Sequence, residues 1–329
     1  MRGLVGVPFA GLLTSLLLAG CAGSADLPAS TVGSSSPVES PAAVPPPPPP
    51  PPPPLKSKAE RKAMAELAAL AEAAASTIPQ TTSRVPTFSG PVLGADASWP
   101  QCPRGMGIPQ RPTLGAPMPL PAARYVVLGL TNGPGYTPNP CLADQVEWIR
   151  ERRLLAAAYA VISYPDDDRL TAFADAGPFQ GKDRLGALAN AGYQQARYAL
   201  GTMAAAGLES PIIWLDVEPV RDFEWSGDVA ANAAVVRGAA RGFRESGRRI
   251  GVYSTPYLWR VIVGGLRLGV PEWRAAGHTS RAEAAARCGD DWSIQGGPAI
   301  LGQWVEQGRD QNITCGRVHR DLGRWFHAY

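Results

Sequence analysis

From Pro91 onward, short apolar segments alternate with longer segments of helical pattern, and this alternation restricts the fold more than any other feature. The apolar segments have the length of strands and contain few polar residues. Near-continuous apolar strands joined through helices are typical of a parallel sheet that is covered on both faces. About seven or eight such units in roughly 240 residues predict a single irregular α/β fold, a (β/α) barrel of the TIM type, with a doubly wound open sheet as the alternative.

The individual elements follow from the hydrophobic periodicity. The predicted strands are Val92–Ala95, Tyr125–Leu130, Leu155–Ile162, Ile212–Val217, Ile250–Tyr253, Trp273–Ala276 and Ile300–Trp304. The predicted helices are Asp144–Arg153, Leu185–Ala206, Val229–Ser246 and Arg281–Arg287. Helices are short or missing in the later part of the chain, so we expect the barrel to be irregular.

The N-terminus has the pattern of an exported chain. Arg2 supplies one positive charge, and residues 3–18 contain no charged residue. This stretch ends in Leu18-Ala19-Gly20-Cys21, which resembles the lipobox of bacterial lipoproteins. We predict a signal peptide over residues 1–20 and a lipid on Cys21 that anchors the chain at the outer face of the cell membrane. An uncleaved signal anchor is the alternative, and it also places the rest of the chain outside the cytoplasm.

Two segments of different composition separate this signal from the barrel. Residues 21–54 are rich in Ser, Ala and Pro and end in the proline run Pro45–Pro54. They bury too little apolar surface to fold, so we predict a disordered spacer that contains a stiff polyproline II rod. Residues 55–90 predict a short Ala-rich helix and a linker, and the helix either stays solvated or packs on the domain. The predicted barrel occupies residues 91–329.

Besides Cys21, the chain has four cysteines, at Cys102, Cys141, Cys288 and Cys315. In an oxidising compartment they predict two disulfides, for which three pairings are possible. We favour the local pairings Cys102–Cys141 and Cys288–Cys315. No two of the four have C-x₂₋₄-C spacing, so they do not predict a metal site.

Several function classes have no support in the sequence. The formal net charge of +3 gives no electrostatic case for nucleic acid as a partner. The chain has no G-x-S-x-G nucleophile elbow, no phosphate-binding loop and no H-E-x-x-H metal motif. We interpret Asp166-Asp167-Asp168 as a solvated loop, because no EF-hand spacing follows it. We therefore predict no metal and no cofactor, and we expect a monomer.

The most informative acidic residues are Asp216 and Glu218, which follow the apolar segment that begins at Ile212. Residues two apart on a strand point to the same side, so these carboxyls project together from the end of a buried strand. Neighbouring carboxyls raise each other's proton affinity, and a protonated Glu beside an ionised Asp is the pair that glycoside hydrolysis uses. The alternative is a solvated turn after a strand. A second D-x-E, Asp222-Phe223-Glu224, lies in a polar stretch and is interpreted as surface.

Two further carboxyls are predicted to join this pair. Asp96 ends the first strand, and Asp310 follows the last apolar strand. In a closed barrel the first and last strands are neighbours, and active sites lie at the carboxyl ends of the strands. Asp96 and Asp310 are therefore expected to converge on the same side of the barrel as Asp216 and Glu218.

The motifs around these acids occur in one order along the chain. They are Asp96-Ala97-Ser98-Trp99-Pro100-Gln101-Cys102, Trp214-Leu215-Asp216-Val217-Glu218, Gly251-Val252-Tyr253-Ser254 with Trp259, Trp273 with Ala275, and Gly302-Gln303-Trp304 with Asp310. This order resembles the family-25 glycoside hydrolases, the Chalaropsis-type lysozymes, and in particular a secreted actinobacterial branch that opens D-x-S-W-P-Q-C. The resemblance covers about Pro91 to Cys315.

This resemblance implies an irregular β/α barrel that cuts the β-1,4 bond after N-acetylmuramic acid in peptidoglycan. It implies that Glu218 is the proton donor and that Asp216, Asp96 and Asp310 complete the catalytic set. Four aromatic residues beside the motifs are predicted to contact the substrate: Trp99, Tyr253, Trp273 and Trp304.

The sequence departs from the family pattern in three places. The third strand, over residues 158–165, lacks the aromatic-His pair with which it usually ends in the family. Gln303-Trp304 replaces a Gln-Tyr pair. A Pro-rich insertion, Pro103 to Pro121, follows the first strand and is expected to reshape the cleft.

These features support a membrane-tethered hydrolase that acts on the glycan of peptidoglycan, with Glu218 as general acid. A cell-wall glycan-binding module of the same fold, weakly active or inactive, is the second hypothesis. A scaffolding lipoprotein with ordinary surface acids is the third.

Overall fold

The computed structural model describes residues 85–133 and 135–329. The predicted signal peptide, Cys21, the proline run and the Ala-rich helix lie outside the described residues and remain predictions. Among the described residues, no helix is both long enough and apolar enough to cross a membrane.

Eleven strands form in this part of the chain, and most of them coincide with the apolar segments of the sequence. In chain order they are β1 (Leu93–Ala97), β2 (Gly107–Ile108), β3 (Arg111–Pro112), β4 (Tyr125–Gly129), β5 (Leu155–Val161), β6 (Ile212–Asp216), β7 (Arg249–Ser254), β8 (Glu272–Ala275), β9 (Ala299–Glu306), β10 (Arg309–Thr314) and β11 (His327–Ala328).

The helices are α1 (Leu142–Arg152), α2 (Asp167–Phe173), α3 (Arg184–Ala205), α4 (Val229–Glu245), α5 (Pro256–Val263) and α6 (Arg281–Ala286). The four predicted helices are present with similar bounds. Helix α2 was not predicted, and the interpretation of the acidic run as a loop was wrong: Asp166 caps this helix and accepts a hydrogen bond from the backbone N–H of Arg169 at 2.6 Å. Helix α5 was also not predicted, and it begins with the N-cap Thr255 followed by Pro256.

Eight strands close into a barrel in the order β5-β4-β1-β10-β9-β8-β7-β6, and β6 pairs with β5 to complete the circle. Seven of the eight run parallel, whereas β10 runs antiparallel to both of its neighbours, β9 and β1. The predicted irregular (β/α) barrel is therefore confirmed. The sequence did not predict β10, because this strand is largely polar.

Alternation along the strands separates the barrel interior from the layer under the helices. The outward residues pack with the helices in the largest core cluster. The inward residues form a second cluster dominated by aromatic rings, including Tyr125, Trp214 and Trp273. These large rings require glycines on neighbouring strands: a Cβ added at Gly94 would collide with the ring of Tyr125, and one at Gly251 with that of Trp214.

Both favoured disulfides, Cys102–Cys141 and Cys288–Cys315, are present. The first bridge joins Cα atoms 5.6 Å apart and ties the start of the Pro-rich insertion to the N-terminus of α1. The insertion is thereby held beside the carboxyl ends of the barrel strands.

A buried ion pair fixes the connection between α6 and β9. Glu272 and Arg274, both on β8, lie 2.7 Å apart with almost no exposed side-chain surface. The Glu272 carboxylate also accepts hydrogen bonds from the backbone N–H groups of Ile294, Gln295 and Gly297 at 2.8 to 2.9 Å. Because this charge is fully paired and hydrogen-bonded, it anchors the loop below the cleft rather than serving as a reactive group.

Candidate active site

The four predicted carboxyls converge on one cleft at the carboxyl edge of the barrel, with a volume of about 420 Å³. Asp96 lies near the end of β1, Asp216 ends β6, and Glu218 follows two residues later. Asp310 lies at the start of β10 and still reaches this edge, because β10 runs antiparallel to its neighbours. The convergence expected from the sequence is therefore present, while the catalytic roles remain predictions.

Asp96 lies at the floor of the cleft and is held by two amides. The side-chain N–H groups of Gln303 donate to both of its oxygens at 3.1 and 3.2 Å, and Asn312 Nδ2 donates at 2.7 Å. Burial, and after it the neighbouring Asp310, raises the pKa of Asp96 well above its usual value, although the two amide bonds act in the opposite direction.

Two aromatic residues of the barrel interior fix these amides in turn. Tyr253 donates its hydroxyl proton to Gln303 Oε1 at 2.7 Å, and Trp273 donates its indole N–H to Asn312 Oδ1 at 2.7 Å. Each amide is therefore held with its N–H group directed at Asp96. The two rings also contact each other, with their centroids 4.5 Å apart.

Asp216 is 3% exposed, and among the described residues its Oδ1 has no hydrogen-bond partner. Burial raises the pKa of Asp216 well above its usual value, and the adjacent Glu218 raises it further. The charged form of a buried carboxyl is costly when no hydrogen bond stabilises it, and this cost is the physical cause of the rise.

Glu218 is partly exposed to the cleft, unlike Asp96 and Asp216. Burial raises the pKa of Glu218 to about 7; Asp310 adds to the rise, and Arg111 opposes it. The backbone at this position is held by Trp225, whose indole N–H donates to the Glu218 carbonyl at 3.0 Å. A carboxyl with a pKa near neutrality can hold a proton and release it, as a general acid requires.

Asp310 is the fourth carboxyl. It lies on β10, which sits between β9 and β1 and therefore across the barrel from β6, the strand that carries Asp216. Burial raises its pKa, whereas the nearby His278 lowers it. The four carboxyls therefore compete for protons, and they titrate as a group rather than one by one.

Three of the four predicted substrate-contacting aromatics line the cleft: Trp99, Tyr253 and Trp273. Trp304 does not line the cleft, so the prediction that it contacts the substrate was wrong. It is 2% exposed and packs with Ala284 of α6 and Ile313 on the outer side of the barrel. The period of two along β9 explains this placement, since Gln303 points into the cleft and its neighbour must point outward.

The insertion after β1 adds a residue that the motifs did not single out. Its two short strands, β2 and β3, form a hairpin that brings Arg111 to the cleft. The Arg111 guanidinium lies over the ring of Trp99, 4.8 Å from its centroid. The insertion therefore contributes a positive charge to the cleft lining, and this charge faces Glu218 and Asp216. A Pro-rich loop gives no sequence signal for such a position.

Strand β5, which is the third strand of the sequence prediction, reaches the cleft through Tyr159 and Val161. This is the region that lacks the expected His. Among the described residues, no group of three or more His, Cys, Asp or Glu side chains is arranged to hold a metal ion. The cleft combines several carboxyls of raised pKa with aromatic faces, an arrangement that suits acid-catalysed cleavage of a glycosidic bond.

The class of protein indicated by this geometry, a β/α barrel with a cleft lined by four carboxyls, agrees with two sequence comparisons. Residues 186–288 match the family model described as "Lysozyme-like protein 1". A stretch of 110 residues is 34% identical to "Probable GH family 25 lysozyme 4" of Dictyostelium discoideum, covering 32% of this chain and 45% of that relative. The resemblance to family-25 lysozymes is confirmed over this part of the chain, which spans less than half of the curated relative.

The family match includes Asp216 and Glu218 but neither Asp96 nor Asp310, which lie outside residues 186–288. Similar solved structures include a muramidase from Acremonium alcalophilum, with 17% identity and a TM-score of 0.46 over 71% of this chain and 99% of that chain. A lysozyme from Streptomyces coelicolor has 15% identity and a TM-score of 0.46 over 72% of this chain and 98% of that chain.

Proposed function

We propose that this protein is an extracytoplasmic glycoside hydrolase that cleaves the glycan of peptidoglycan as a muramidase does, with Glu218 as general acid. One observation carries the proposal: a carboxyl with a pKa of about 7 lies in a cleft with three other carboxyls, on a segment similar to family-25 lysozymes. The resemblance read from the sequence supplies the substrate class.

In the proposed reaction, protonated Glu218 gives its proton to the glycosidic oxygen as the bond from that oxygen to the anomeric carbon breaks. Water then supplies a hydroxyl to the anomeric carbon, and the remaining proton restores the acid. Positive charge develops on the sugar in the transition state, so an ionised carboxylate nearby stabilises it. Asp216, Asp96 and Asp310 line the same cleft, and an ionised member of this set supplies that charge.

We further propose that the chain is tethered to the outer face of the cell membrane through a lipid on Cys21. Support comes from the uncharged segment before the Leu18-Ala19-Gly20-Cys21 motif and from two disulfides, which persist in oxidising compartments. Labelling with a radioactive fatty acid tests this tether, because Cys21→Ser should abolish incorporation.

The enzymatic proposal is tested by incubating the lipid-free chain, which begins at Ala22, with insoluble peptidoglycan. Mass analysis of borohydride-reduced products should show fragments that end in a reduced N-acetylmuramic acid. Glu218→Gln should lower their release by about 10²- to 10⁴-fold. Glu224→Gln is the matched control, because it alters the exposed second D-x-E and should leave release unchanged.

Fragments released equally by wild type and Glu218→Gln would refute the assigned role of Glu218. Protein that sediments with the wall and releases no fragments would instead support the glycan-binding module.

A further inference from the structure

Arg111 is a half-buried cation for which the described part of the chain provides no anionic contact. Its Nη1 atom is buried and has no hydrogen-bond partner there. No carboxylate of the described residues lies within the 4.0 Å that defines an ion pair with it. A buried guanidinium nitrogen normally has a partner, so this arrangement leaves Arg111 able to bind an anion from outside the described residues.

The side chain is nevertheless held in place on several sides. One face of the guanidinium lies on Trp99, and the aliphatic part packs so closely on Gly133 that a Cβ there would approach Arg111 Cδ to 2.6 Å. The backbone is fixed by the β2–β3 pairing of Ile108 with Arg111 and by Asn132 Nδ2, which donates to the Arg111 carbonyl at 3.4 Å. Because the hairpin orders the side chain in advance, little conformational entropy is lost when a ligand binds.

Arg111 is also the only Lys or Arg among the described residues that line the cleft; the other charged groups are the four carboxyls. Burial raises the pKa of Asp96 and Asp216, so the charged form of these two carboxyls is disfavoured beside it. A planar guanidinium with free N–H groups matches a carboxylate in geometry and charge.

We propose that Arg111, supported by Trp99, binds a carboxylate carried by the glycan substrate beside the acid cluster. This inference rests on the proposed function and narrows its substrate class to anionic glycan. The carboxylate has two chemical sources in peptidoglycan: the lactyl group of a muramic acid that bears no peptide, and a free carboxyl of an attached peptide.

The test compares three forms of one glycan. The first carries its peptides, the second has been stripped by an amidase so that its lactyl carboxylates are free, and the third is the stripped glycan with those carboxylates converted to methylamides. The value of kcat/KM is measured for wild type, Arg111→Gln and the control Arg104→Gln, which alters an exposed arginine of the same insertion.

Wild type should cleave one of the charged forms about tenfold to hundredfold better than the methylamide, and Arg111→Gln should remove that preference. Arg104→Gln should retain it. Preference for the stripped glycan assigns the lactyl carboxylate, and preference for the peptide-bearing glycan assigns a peptide carboxyl. Equal cleavage of all three forms by wild type overturns the inference and leaves the hydrolase proposal intact. This comparison uses the wild-type protein alone, so it does not depend on whether a variant folds.

Binding separates the inference from turnover. In the Glu218→Gln background, adding Arg111→Gln should lower the affinity for one of the two soluble charged forms, stripped or peptide-bearing, by a similar factor, and affinity for the methylamide should not change. If wild type cleaves none of the three forms, the hydrolase proposal fails, and this binding difference still decides whether Arg111 recognises a carboxylate. Equal affinities for all three forms would overturn the inference.

Discussion

Replacing Glu218 by Gln should change how the stability of this protein depends on pH. The pKa of Glu218 rises from an ordinary value of 4.5 to about 7 in the folded protein, chiefly because the carboxyl is buried. The folded state thus holds the proton more tightly than the unfolded state. The associated stability is fully present below about pH 4.5 and is lost as pH rises through about 7.

The size of this effect follows from the shift in pKa. A rise from 4.5 to about 7 corresponds to about 3 kcal/mol, and we expect about 2 kcal/mol because the carboxyl is partly exposed to solvent in the cleft. Glutamine has a similar shape and no charge to desolvate. The variant should therefore gain about 2 kcal/mol relative to wild type between about pH 4 and about pH 9.

Urea unfolding with the disulfides intact measures this difference across the pH range. The other three buried carboxyls titrate in both proteins, so their direct contributions largely cancel in the comparison. Glu224→Gln, on the exposed second D-x-E, should track wild type at every pH. If the wild-type and Glu218→Gln curves run parallel from acid to alkaline pH, Glu218 ionises normally and the argument for a general acid loses its physical basis.

Three further predictions concern the cleft and its support. The alkaline limb of the pH–rate profile should lie near pH 7, where Glu218 loses its proton. Because Arg111 lowers the pKa of Glu218, Arg111→Gln should move this limb to higher pH, and initial rates measured across pH test the shift. Tyr253→Phe removes the hydrogen bond that orients Gln303, so kcat should fall about tenfold. The free energy of unfolding, measured in urea, should change by no more than about 1.5 kcal/mol. An unchanged kcat would contradict this orienting role. Glu272→Ala breaks a fully buried ion pair, so the free energy of unfolding should fall by about 3 to 5 kcal/mol in urea titrations, and a loss below about 1 kcal/mol would show that the pair contributes little.

Much of the fold follows from local sequence patterns. The apolar strands and the four predicted helices produce the barrel because each pattern buries one face of a regular element. Asp216 and Glu218 are placed by the same logic, since a buried parallel strand directs the residues that follow it to the carboxyl edge. The period of two would also have excluded Trp304 from the cleft once Gln303 was assigned inward.

Other features depend on contacts between distant segments and have no local signal. Strand β10 is polar, and it becomes a barrel strand only because β9 and β1 hydrogen-bond to both of its edges. Asn312 reaches Asp96, 216 residues away in the chain, only through this pairing.

The chemical properties of the site also depend on contacts between segments that are distant in the chain. The sequence by itself determined that carboxyls follow certain strands, but a carboxyl titrates near neutral pH only when burial and neighbouring charges act on it. The raised pKa of Glu218 arises from its depth in the cleft and from Asp310, and it is moderated by Arg111, which a hairpin and a disulfide bring from a Pro-rich loop. Desolvation and Coulomb interaction depend on distances in space, and only the tertiary structure sets those distances.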